Sequence, residues 1–362
     1  MPSERVIVIS DVHLDQWRDD LPDDHLDKHQ AFLDFLAWIA TMGSQGKVGR
    51  FVIVGDLINV PQKDRSPLLP TYDDVYAGLQ GIVAAGVKFG YVIGNHDAGM
   101  VGLSLDLKQP EVCVGYPYLL VNSGAVQFAV EHGHLYDPWL WDYVRQLAAA
   151  MWTSSAGPQG VRVLRMAGAA PVQLPSEAAR DSALQIDELW QTSLRETDPS
   201  HAAMESLRDV LLKDLEEDYS DVVDPATDGQ MMADRDQLRA QLRHTLTTGT
   251  GVPSLAPSLA GLQPPALAIE SLVQACYSGP HWRRAARRRL PALSEELNRP
   301  LAGIIMGHTH HADQSAWHDA AGQPRWYVNS GSWRHESADL VIVDGATAQL
   351  HKRTWRDPLP SL

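Results

Sequence analysis

Cysteine is almost missing from this chain. Cys113 and Cys276 stand far apart, in apolar company and at no metal or redox spacing. This excludes a disulfide framework and a thiolate zinc site, and both thiols are expected to be buried and free. Long apolar runs are missing too, since no stretch approaches the ~20 residues a membrane span needs. Met1-Pro2-Ser3-Glu4-Arg5 leads straight into a strand-like run, so no secretory leader is expected and the chain reads as soluble and cytoplasmic. Basic side chains are in deficit, 30 against 45 acidic, for a formal net charge of -15. Such a surface repels a nucleic-acid backbone at long range, so no nucleic-acid partner is expected. It leaves room for an anionic substrate held through metal cations.

What is present is ordinary globular material, 44% hydrophobic and 21% charged over 362 residues, enough for one or two domains. Arg5 to Ser10, Phe51 to Val54 and Phe89 to Ile93 are short apolar runs that read as buried strands. Helical spacing over 25–42 and 72–85 separates them. Strand and helix therefore alternate, which argues a largely parallel sheet with helices outside. Val112 to Leu120 and Val126 to Glu131 read as further strands. Residues 139–299 change character and carry mostly helical patterns, broken by a loop over 247–265 rich in Thr, Gly, Ser and Pro. Strand rhythm returns in Gly303 to Met306, Trp326 to Val328, Leu340 to Val343 and Leu350 to Trp355. One α/β domain, residues 1–138 and 300–362, is thus interrupted by a helical insertion over 139–299.

The strands end in chemistry. Asp11 and His13 follow the first, Asp56 the second and Asn95-His96-Asp97 the third. His132 and His134 follow the strand ending at Glu131, and His308 and His310 follow Met306. Gly94 is expected to let the backbone turn sharply where its strand ends. Oxygen and imidazole donors together suit borderline divalent ions such as manganese, iron, cobalt, nickel or zinc. Asp-x-His and His-x-His on extended chain would place both side chains on one face. A carboxylate such as Asp56 can bridge two ions, and two ions about 3.5–4 Å apart can clamp a phosphoryl group. A lone Asp or His at a strand end is usually a cap or a surface residue, but five such clusters in order are not.

Asp11-Val12-His13, Gly55-Asp56, Gly94-Asn95-His96-Asp97, His132-Gly133 and Gly307-His308-Thr309-His310 resemble the five motifs of the calcineurin-like metallophosphoesterase superfamily. The resemblance covers about residues 4–138 and 301–355. It implies a four-layer αββα sandwich with two mixed β-sheets, and a phosphate mono- or diester hydrolase using a metal-bridging hydroxide in in-line attack. It implies two divalent ions, most readily Mn2+, with Asp11, His13, Asp56 and His310 on the first and Asp56, Asn95, His132 and His308 on the second. His96 would serve the leaving oxygen, supported by Asp97 or by Asn59, where many members carry an acid.

Asp11-Val12-His13-Leu14, the His310-His311 pair and Tyr327-Val328-Asn329-Ser330-Gly331-Ser332-Trp333 also resemble the branch of UDP-2,3-diacylglucosamine pyrophosphohydrolases. That branch typically has Arg where His96 stands, an acid where His134 stands, and a shorter insertion. A phosphorylated small molecule or lipid is the expected substrate, with His134, Asn329 and Arg334 as candidate contacts. The basic run over 281–289 is a candidate for peripheral membrane contact. The competing class is a non-catalytic metal-binding scaffold, against which the retained His96 argues.

Overall fold

The computed structural model describes residues 5–17, 21–58, 72–96, 112–115, 118–136, 218–229, 232–233, 236 and 279–362. Asn59, Asp97, Cys276, the 247–265 loop and most of the expected insertion helices lie outside these residues.

Two mixed sheets form the core. The first has six strands in the order β11-β10-β1-β2-β3-β4. They are β1 Val6–Ile9, β2 Arg50–Val54, β3 Lys88–Val92, β4 Val112–Gly115, β10 Leu340–Asp344 and β11 Thr347–His351. Strands β1 to β4 run parallel, while β10 returns antiparallel on β1. The second sheet has the order β5-β6-β7-β9-β8. Its strands are β5 Tyr118–Ser123, β6 Val126–Glu131, β7 Gly303–Met306, β8 Asp313–His318 and β9 Pro324–Asn329.

Strand alternation builds the layers. Val6, Val8, Val52, Val54, Val92 and Val341 face inward and pack on Val121, Phe128, Val130, Ile305 and Val328 of the second sheet. Their neighbours Ile7, Ile9, Phe51, Ile53 and Ile342 face outward. There they meet Phe32, Phe35, Leu36 and Ile39 of α1 (His25–Ser44) and Val75 and Ile82 of α2 (Asp73–Ala84). Burial on both faces is why these strands read as unbroken apolar runs. A third helix, α3 (Pro280–Glu296), belongs to the unit of the second sheet from Ala286 onward. Its Arg287 lies over the Trp317 ring of β8 at 5.4 Å, and Arg289 pairs with Glu131 of β6 at 3.4 Å.

The described residues through His134 and from Ala286 onward form one compact unit. Tyr136, the 218–236 residues and 279–285 belong to a second. In that second unit Arg283 is buried and forks onto Asp228, with Nη1 2.6 Å from Oδ2. Arg284 pairs with Asp221 at 2.8 Å and covers the Tyr219 ring. Much of the basic run is therefore held in intrachain contacts. Among the described residues, no helix is long and apolar enough to cross a membrane.

Three expectations change, and one strand is unexpected. The run from Val112 to Leu120 is two strands in different sheets: β4 pairs with β3, and β5 pairs with β6. The last strand starts earlier, at Thr347, and Thr354 makes only an isolated bridge to Ser337. Strand β8 has no apolar run to announce it, since it is an edge strand of alternating exposure. Cys113 is exposed rather than buried, because β4 is the edge of its sheet.

Candidate metal centre

The parallel strands deliver their carboxyl ends to one edge of the sandwich. The loop after β1 is zipped to the loop after β2, with the Asp11 N–H donating to Gly55 O and the His13 N–H to Asp56 O. The loops after β3, β6 and β7 then close around them.

Asp11, His13, Asp56 and His132 are buried, and Asn95, His96, His308 and His310 half-buried. His13 Nε2 and His310 Nε2 lie 3.3 Å apart, and His310 Nε2 lies 3.3 Å from Asp11 Oδ1. Asp56 Oδ2 faces two imidazoles at once, His132 Nε2 at 3.2 Å and His13 Nε2 at 3.7 Å. Asn95 Oδ1 lies 3.0 Å from His132 Nε2 and 3.1 Å from His308 Nδ1. Donor atoms of Asp11, His13 and His310, and again of Asp11, Asp56 and His132, converge within 4.8 Å.

The local backbone is unusual. Asp11, His13, Asp56, His308 and His310 all have positive φ, between 48° and 71°. Each such non-glycine residue costs about 1–3 kcal/mol and persists only where its surroundings over-determine it. This corrects the extended-chain picture of Asp-x-His and His-x-His. Their side chains converge because both residues of each pair are left-handed, not because a strand alternates.

Gly94 is also needed for a different reason than expected. Its φ is not positive. A Cβ there would overlap Asp56 Oδ1. Glycine at 94 makes room for the carboxylate, which then accepts the His96 N–H at 3.0 Å.

Backbone groups aim the side chains. His132 Nδ1 donates to Val54 O at 2.8 Å, which leaves Nε2 facing the carboxylates. Asp11 Oδ2 accepts the His308 N–H at 2.9 Å. Asn329 is fully buried, donating to Gly307 O at 2.7 Å and accepting the Gly331 N–H at 3.0 Å. The expected substrate contact at Asn329 is thus corrected: its amide holds the turn that carries His308. His134 is buried, its ring 5.4 Å from that of His132 and 6.3 Å from that of His308. Arg334 is half-buried on the loop after β9. The structure brings together every expected metal-ligand position, with His96 beside His13 at 5.1 Å between ring centroids.

Electrostatics express the same crowding. Burial opposes the charge of Asp56, but His132 and His96 outweigh it and hold the carboxyl well below its usual range. Asp11 is likewise lowered, against burial, by His132 and His310. Burial opposes the charge of His132 as well, yet Asp56 and Asp11 push it up to about 10. Burial takes His13 down to about 3, against the pull of Asp56. His96 and His134 are lowered, chiefly by burial.

These donors fit divalent cations. Two buried carboxylates are ionised among imidazoles, and Asp11 Oδ1 is buried without a hydrogen bond of good geometry. The same carboxylates that draw a proton onto His132 carry the negative charge a divalent cation would neutralise, and that proton must leave as the cation binds.

Sequence reasoning missed Trp17 and Lys28. Trp17 is buried and its indole N–H reaches Val12 O and Trp333 O. Lys28 is fully buried, donates to His335 O at 2.5 Å and lies over the Trp17 ring. Nothing in the sequence distinguishes these from an ordinary core tryptophan and a helix-surface lysine.

Comparison with known proteins bears on the same site. No curated protein matches the sequence. A dimetal phosphatase from Danio rerio is similar in structure, at 12% identity and a TM-score of 0.34, covering 99% of this chain and 98% of that one. The protein TT1561 of Thermus thermophilus is similar at 11% identity and a TM-score of 0.32, covering 97% and 99%. The assignment rests instead on sequence. The model of the calcineurin-like phosphoesterases matches residues 4–223, more than half of the chain and four of its five motifs. The fifth, Gly307 to His310, is brought to the others by the fold. The chain belongs to the calcineurin-like phosphoesterase family, whose members imply a metal-dependent hydrolase with two divalent ions.

Proposed function

We propose that this chain hydrolyses a phosphate mono- or diester. Asp11, His13, Asp56 and His310 would hold one divalent cation, and Asp56, Asn95, His132 and His308 the other. The observation that supports this most is the position of Asp56 Oδ2 between His13 Nε2 and His132 Nε2. A single carboxylate oxygen facing donors of both sets is the geometry a shared ligand requires. Oxygen and imidazole donors with no thiolate suit manganese, iron, cobalt, nickel or zinc, and manganese is the ion proposed. When bound, such a pair of ions supplies Lewis-acid activation of water and of the phosphoryl oxygens.

The chain's own residues do the rest. His132 and Asp56 fix each other, and the His96 N–H fixes the second oxygen of Asp56. His96 would move a proton to the leaving oxygen. Burial lowers its pKa, and an arriving phosphate ester, carrying negative charge, favours the protonated form. Asp97 and Asn59 are its sequence-level supports, and His134 and Arg334 are candidates to meet the substrate.

Turnover of p-nitrophenyl phosphate and bis(p-nitrophenyl) phosphate with Mn2+, Ni2+ or Zn2+ tests the reading. No hydrolysis of either ester, by protein carrying two ions, would sink it. The ratio of the two rates separates monoesterase from diesterase.

A lipid-bearing nucleotide sugar, as in the UDP-2,3-diacylglucosamine branch, is the second reading. It is supported by the Tyr327-to-Trp333 run. Within that run, however, Asn329 and Trp333 are buried and bonded to backbone, so their likeness speaks to fold more than to substrate. Faster hydrolysis of the nucleotide sugar than of the simple diester would favour it.

A further inference from the structure

We infer that Trp17 is a positioning residue for the metal centre, acting through the peptide between Asp11 and His13. The inference rests on the proposed roles of Asp11 and His13 as ligands.

Asp11 and His13 have φ of 52° and 48°. Two left-handed non-glycine residues flank a single valine, an arrangement that local preference opposes. Something outside the loop must hold it. Each of the three carbonyls is taken by a specific donor. Asp11 O accepts the Trp333 N–H at 3.0 Å, and His13 O accepts the Gln16 N–H at 2.9 Å. The middle one, Val12 O, accepts the Trp17 indole N–H at 2.7 Å, and the same N–H reaches Trp333 O at 3.1 Å. Trp17 therefore ties the Asp11–His13 loop to the 333 loop that grips it from the other side.

The indole is itself clamped. Its ring meets Phe32 edge-on at 5.6 Å, and the buried Lys28 ammonium lies 5.1 Å over its face. Loss of the N–H would leave a buried carbonyl unsatisfied at the pivot of the left-handed pair. The loop then relaxes toward ordinary φ, and the ligands on it lose their convergence. Asn95 and His132 stand on other loops and should be spared.

The test is calorimetric titration of metal-free protein with Mn2+, alongside thermal unfolding. Trp17→Phe keeps an aromatic ring and removes the donor. Replacing Trp17 by benzothienylalanine keeps the bicyclic shape as well, and serves if the Phe variant folds poorly. The comparator is Ile82→Ala, which removes a buried side chain from α2 and touches no hydrogen bond of the Asp11–His13 loop.

The expected result is that one of two Mn2+ binding steps weakens about 10–100-fold, the scale seen when supporting partners of metal ligands are removed. The weakened step should be the one lost in His13→Ala, and Ile82→Ala, though it unfolds at lower temperature, should leave both steps within about twofold. Unchanged Mn2+ affinity in both Trp17 variants overturns the inference, as does equal weakening by Trp17→Phe and Ile82→Ala. Wild-type protein that binds fewer than two ions overturns the ligand reading beneath it instead.

Discussion

Asp56 and His132 hold each other across 3.2 Å, Oδ2 to Nε2, while the far side of the imidazole is tied to the Val54 carbonyl. Val54 ends β2 and Asp56 follows it, so β2 supplies both the carboxylate and the group that aims its histidine.

Replacing Asp56 by Ala should therefore dismantle both halves of the centre. Metal content should fall from two ions to fewer than one per chain. Hydrolysis of p-nitrophenyl phosphate should drop by about 10³ or more, the scale of losing a principal electrostatic element. Elemental analysis finding two ions on the variant would remove Asp56 as the shared ligand.

His96→Ala separates proton transfer from metal binding. Its side chain lies outside the proposed ligand set, so the variant should retain two ions. Turnover should fall by roughly 10²–10⁴, the usual contribution of a general acid. Substrates with better leaving groups should suffer less. Equal losses on esters of good and poor leaving groups would assign His96 to some other task.

Gly94→Ala tests whether space, rather than backbone freedom, requires the glycine. The added methyl would overlap Asp56 Oδ1. Overpacking at such a site costs about 1–3 kcal/mol, and the carboxylate should be displaced, weakening metal binding. Thermal unfolding and Mn2+ titration should both register the change. A variant with unaltered Mn2+ affinity would show that the carboxylate has other room.

Asp339 makes stability depend on pH. Burial pushes its carboxyl up to about 6, against the hydrogen bond from the Arg353 N–H. The native state thus binds this proton more tightly than the unfolded chain. The resulting stabilisation is full below about pH 4 and lost as pH rises through about 6. Asp339→Asn should keep the bond to the Arg353 N–H and remove the charge. It should be more stable than wild type by about 1–3 kcal/mol at pH 8, with the gap closing below pH 4. Denaturant unfolding at both pH values measures it. A gap that is the same at pH 4 and pH 8 would clear Asp339 of the effect.

Much of the fold is legible in the chain. Val6 to Ile9, Phe51 to Val54 and Gly303 to Met306 read as short unbroken runs because every residue in them is buried. The polar edge strand Asp313–His318 is not legible, because one row of its side chains meets solvent. Tyr118 to Ser123 reads as continuous with Val112 to Gly115, because periodicity carries no information about which sheet a strand joins.

By itself the sequence determined where chemistry would gather. Asp11, Asp56, Asn95, His132 and His308 each follow a strand, and parallel strands must present their carboxyl ends on one edge. Only the tertiary structure decided how that edge is built. The left-handed Asp11 and His13, the carboxylate that fills the space beside Gly94, and the indole of Trp17 beneath Val12 depend on contacts between distant segments. So does the turn held by Asn329. Local pattern records what a residue prefers, and these positions are occupied against preference because neighbours elsewhere in the chain hold them there.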